Sequence, residues 1–135
     1  MSFAEQKRTA YYEYLTNPSY FAEEVTYRNA DGSTFAMRTH IRTSMRQDLN
    51  DQDATIDEVE EINVLMMRDP SATTSSGDTI AGKAKPEIGD AVLRSASMDP
   101  DQRWYLFKGT ITETTDLKYR LIFERKKRWT QGVST

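Results

Sequence analysis

The chain has 135 residues, a formal charge of −3 and no cysteine. Its length predicts one domain with a core of its own, and the missing thiols exclude disulfides, thiolate metal sites and cysteine nucleophiles. The mild charge argues against a general nucleic-acid binder, and the absence of any apolar run near the roughly 18 residues of a membrane span predicts a soluble, unexported protein with no membrane partner.

Ser2-Phe3-Ala4-Glu5 has the form of a capping box, so a helix is expected over residues 2–16. Phe3, Ala10, Tyr11, Tyr14 and Leu15 recur at three- and four-residue steps as its apolar stripe, and Asn17-Pro18 ends it because proline has no amide to donate. Such a helix is expected to lie on the sheet, plugging an open end of a β barrel or docking on a partner subunit. A β body is expected over residues 20–128. It opens with a hairpin from Phe21 to Ile41, turning at Asn29-Ala30-Asp31-Gly32. Phe21, Val25, Tyr27, Phe35, Met37 and Ile41 are assigned to the buried face, and Arg38, His40 and Arg42 to the outward one.

Thr43 to Glu58 is polar, without a clear period, and rich in acids; it is read as a solvated acidic loop. Ile62 to Met67 then reads as a strand buried on both faces. Asp69 to Glu87, rich in Ser, Thr, Gly and Lys between Pro70 and Pro86, is a second long loop, and loops of that length are usually functional or disordered. Three further strands are expected over Ile88 to Arg94, Arg103 to Thr112 and Leu117 to Arg128, with Gly89-Asp90 as a turn or bulge at the first entrance. Residues 129–135 are left as a tail. The fold class is therefore mainly β: a small antiparallel barrel or sandwich of about six strands, with one N-terminal helix and two long loops.

Chemistry is sparse. His40 is the sole histidine and falls on the polar face of its strand, so with only scattered serines no Ser-His-Asp triad can be argued, and the acidic stretch after Asn50 lacks the central glycine and spacing of a calcium loop. No hydrolase, zinc-protease or nucleotide-binding pattern occurs, so no catalytic, cofactor-binding or metal-ligating residue is assigned, no cofactor is expected, and the chain reads as a non-enzyme.

The order of elements, the Ile88-Gly89-Asp90 strand entrance and the aromatic strand from Trp104 together resemble the small head–tail joining proteins of tailed bacteriophages, the stopper or head-completion group. The resemblance implies a virion protein, assembled in the host cytoplasm, that forms a homo-oligomeric ring of six- or twelve-fold symmetry at the neck. Such a ring joins portal or adaptor to tail proteins and helps retain packaged DNA, which passes through without sequence-specific binding. Carried over by position, Asp48, Asp51, Asp53, Asp57, Glu58, Ser75, Ser76, Lys83 and Lys85 would lie on loops that meet neighbouring subunits or line the channel, and Lys126, Lys127, Arg128 and Trp129 would touch a partner. A tail terminator capping the tail tube, or a non-viral β-barrel binding module using Trp104 and Tyr105, are the competing expectations.

Overall fold

A computed structural model describes residues 3–16, 22–50, 55–74 and 77–127. Helix α1 (Phe3–Thr16) is followed by strands β1 (Glu23–Arg28), β2 (Thr34–Thr39), β3 (Ile41–Asn50), β4 (Thr55–Met67), β5 (Ala91–Leu93), β6 (Tyr105–Thr114) and β7 (Lys118–Lys126). All seven pair antiparallel in one curled half-barrel sheet, in the order β2-β1-β5-β6-β7-β4-β3. Among the described residues, no helix is long and apolar enough to cross a membrane.

The β1–β2 hairpin forms where its alternation places it, with Val25 opposite Met37 and Tyr27 opposite Phe35. Its turn closes through Asn29 N–H to Ser33 O at 2.8 Å, Asp31 Oδ1 accepts from Ser33 N–H, and Gly32 takes the positive φ of 95° that a side chain would resist. Val25, Tyr27 and Met37 are buried, but Phe35 is only half-buried. Ile41 starts the next strand but, like Phe35, packs half-buried against the same inner cluster as Val25, Tyr27 and Met37; Phe21 is outside the described residues.

β4 has apolar cover on both sides. Ile62, Val64 and Met66 face the inner cluster with Leu121, Phe123 and Tyr27, while Leu65 and Met67 point the other way and meet Tyr12 and Leu15 of α1 with Ala72 and Ile80. The helix thus covers the outer face of the sheet over the end of β4, and it does not plug the barrel mouth. Its buried stripe is also rotated from expectation: Tyr12 and Leu15 are buried, Tyr11 and Tyr14 half-buried, Ala10 exposed, and Phe3 is 80% exposed. Only the second half of the helix reaches the sheet. His40, expected to look outward, lies beneath it, its ring stacked 3.9 Å from that of Tyr14 and its Nε2 2.8 Å from Tyr14 O.

Over their described residues, neither long polar segment is an irregular loop. Thr43 to Glu58 contributes most of the β3–β4 hairpin, with an unbroken register from Ile41↔Val64 to Asn50↔Thr55, and this raises the strand count to seven. Asp69 to Gly82 is a strap folded onto the end of β4. Bridges join Met67 to Gly82 and Thr73 to Thr79, Ile80 and Ala72 are buried, and Ile80 O accepts from Arg38 N–H of β2 at 2.9 Å. A Cβ at Gly82 would stand 2.3 Å from Met67 O and 2.7 Å from Asp69 O, so only glycine permits this approach.

Candidate functional site

Two clusters of ionisable groups sit at opposite ends of the half-barrel. The first is internal. Gly89, at φ +102°, turns the chain so that Asp90 enters the body fully buried. Its Oδ2 accepts from the Tyr27 hydroxyl at 2.6 Å, Lys83 Nζ at 2.6 Å and Glu87 N–H at 3.0 Å, and its Oδ1 from Ala30 N–H at 2.8 Å. Burial alone would raise the Asp90 carboxyl, but the bonds from Lys83, Tyr27 and Glu87 outweigh it and hold it below the usual carboxylate range. Tyr27 is pushed far above an ordinary phenol, first by burial and then by its bond to that carboxylate. A saturated anion and a phenol that keeps its proton have no acid–base work to offer. The cluster fastens the strap, the first hairpin and the β5 entrance to one another.

The second cluster rims the open mouth. A groove of about 330 Å³ lies between the β3–β4 pair and the loop before β6, with Thr43, Met45, Glu60, Met98, Tyr105 and Arg125 around it. Arg125 takes its place by strand parity, continuing the inward row Tyr119, Leu121, Phe123 on β7. Its Nε donates to Glu60 at 2.5 Å, its two Nη atoms fork onto Asp99 at 2.6 and 3.0 Å, and Nη1 also reaches Arg103 O at 2.9 Å, while the guanidinium lies 4.1 Å over the Tyr105 ring. Burial works against its charge, but Asp99 and Glu60 prevail and raise it further; in return the Arg125 bonds hold Asp99 below its usual range. With its donors engaged internally, Arg125 is a clasp for the mouth and not a receptor for an anion.

On the outer face of the same end, Arg46 forks onto Asp48 at 2.8 and 2.9 Å, reaches Glu124 at 3.1 Å and bonds Glu61. This network is open to water, the Arg46 and Asp48 side chains being 41% and 46% exposed.

The residues assigned from sequence therefore scatter. Asp48, Asp57 and Glu58 lie on paired strands of the β3–β4 hairpin, not on a loop. Glu58 is ion-paired at 2.9 Å with Lys127, so that lysine is held by its own chain where an acidic neighbour was expected. Lys83 is likewise spent, on Asp90, because the strap folds inward. Lys85 and Lys126 are exposed. Asp51, Asp53, Ser75, Ser76, Arg128 and Trp129 lie outside the described residues. Sequence reading gave no role to Arg46, Glu60, Asp99 or Arg125, although the alternation of Tyr119, Leu121 and Phe123 pointed Arg125 inward. Among the described residues no cluster of His, Asp or Glu could hold a metal ion.

Comparison with protein-family models, with curated proteins and with solved structures finds no match to this chain.

Proposed function

We propose that the protein is a structural assembly component of a tailed-phage virion, a homo-oligomeric ring at the neck between portal or adaptor and tail, acting without catalysis. The feature that carries this reading is the β3–β4 arm. Among the described residues β7 pairs with β4 as far as Val59↔Lys126, with one further bond from Lys127 N–H to Glu58 O, so among them residues 48–50 and 55–57 have strand partners only in each other and stand on the order of 10 Å beyond the last β4–β7 pair. An isolated two-stranded ribbon gains little stability by itself. Its use is to touch something outside the body.

Its charge suits that use. From residue 48 to 58 there are five acids and no base, so an arm lining a duplex conduit repels phosphate and lets DNA slide. The two clasps support the same reading, since the Asp90 and Arg125 clusters are internally satisfied and neither presents a reactive group to a substrate.

The test is native mass and negative-stain imaging of the purified chain, alone and mixed with a portal protein or a tail-tube protein. Rings, or binding to the portal, are expected. Binding to the tail tube alone would move the assignment to a tail terminator, and a monomer indifferent to both would overturn the assembly reading.

A further inference from the structure

The two edges of the sheet are treated differently. β2 is shielded, because Arg38 N–H is bonded to Ile80 O of the strap. β3 is not: among the described residues β4 is its only strand partner, and Arg42 to Met45 are all exposed on a ten-residue strand without proline, lysine or a register break. Of the devices that ordinarily blunt a native edge, β3 carries only the charges of Arg42, Arg46 and Asp48. An open, regular edge is a template for another strand.

The sequence of β3 says which strand. Laid antiparallel on itself about Met45, it sets Arg42 opposite Asp48, Thr43 opposite Gln47, Ser44 opposite Arg46, and Ile41 opposite Leu49. Residues directly opposite in an antiparallel pair share a face. In this register Arg42 meets the opposite charge of Asp48 and Ser44 meets Arg46 on the outer face, while the Thr43 hydroxyl faces the Gln47 amide on the inner one. Arg42 has no ion-pair partner among the described residues, and Met45, on the axis, is 54% exposed. A shift of one residue would place Arg42 against Gln47 and destroy the match.

We infer that β3 is a self-complementary interface, through which two copies of this chain pair edge to edge across a two-fold axis at Met45 and join their sheets. The contact is isologous and does not depend on the neck reading, since it belongs to the free chain with or without a portal or tail partner.

The chain has no cysteine, so single engineered thiols report the register directly. In the full-length protein, Met45→Cys places two thiols across the axis at the roughly 4.5–5.5 Å Cα spacing of opposed strand residues, within disulfide reach. Mild oxidation should convert most of it to a covalent dimer on non-reducing gels. Thr43→Cys and Gln47→Cys should each stay monomeric, because like positions are about 13 Å apart along the strand, yet an equal mixture of the two should give the heterodimer. Arg42→Asp should reduce the native-mass dimer at least several-fold by setting two carboxylates opposite each other, and Arg42→Asp with Asp48→Arg should restore it. Far-UV circular dichroism confirms that each variant is folded. A folded Met45→Cys protein that remains monomeric under oxidation, or equal cross-linking at positions 43, 45 and 47, would overturn the proposal.

Discussion

The Asp90 cluster and the Arg46 cluster use the same kinds of group to opposite ends. Around Asp90 the four donors come from three segments, the first hairpin, the end of the strap and the β5 entrance, and the carboxylate is fully shielded from water, so its charge is tolerable only while all four stay in place. Around Arg46 the groups are on neighbouring strands and open to solvent, where water replaces any lost partner at little cost. A buried network is committed to the fold. An exposed one can be re-paired with another molecule, and that is what an interaction arm requires.

The sharpest way to break this contrast is Asp90→Asn. It removes the anion while leaving Lys83 beneath the strap, and a loss of about 3 kcal/mol is expected from urea denaturation. Next comes Gly82→Ala, which tests whether the strap belongs to the body: the added methyl meets two backbone carbonyls that cannot swing aside, and about 1–3 kcal/mol should be lost. A mobile flap would absorb the change with no shift in midpoint.

The pH dependence follows from the two shifted groups of the buried cluster. Because Asp90 titrates lower in the fold than in the unfolded chain, its contribution is present above about pH 3.9 and is lost as pH falls through the folded value. Tyr27 has the opposite sense. Its raised folded value means that stability is intact below about pH 10 and declines above it, as the unfolded phenol ionises and the folded one does not. Tyr27→Phe should therefore flatten the alkaline limb of a stability-versus-pH curve by up to one proton, about 1.4 kcal/mol per pH unit. The smallest effect is reserved for the arm: Asp48→Asn, paired only on the surface, should leave the melting temperature unchanged in differential scanning calorimetry while altering self-association or partner binding. Unfolding of that variant would place the arm in the core architecture.

Much of the body was legible because it rests on apolar alternation. The first hairpin, the doubly buried Ile62–Met67 and the inward row of β7 all carry a period that burial enforces. The arm did not show itself for the converse reason. The described positions of β3 from Arg42 to Asp48 are exposed or half-exposed on both faces, and nothing there selects apolar residues at every second position. The strap was obscured by smallness: it is held by Ala72, Ala81, Gly82 and a single Ile80, and close backbone approach leaves no hydrophobic signature. Of the candidate surfaces, the acids were visible, but whether a given charge is free depends on contacts between distant segments, as Lys83 with Asp90 and Arg125 with Glu60 illustrate.

The strand order has a consequence for how the chain is made. The first two hairpins, β1–β2 and β3–β4, are each local in sequence, yet in the sheet they are separated by β5, β6 and β7 from the last third of the chain. During synthesis both hairpins leave the ribosome with open flanks and no common partner, and the sheet can be completed only after Lys126 has emerged, when β7 slots against β4 along nine register pairs. Folding is therefore governed by the slow, long-range closure typical of non-local β topologies, and the interval before it is when the exposed edges must be kept from pairing with the wrong chain.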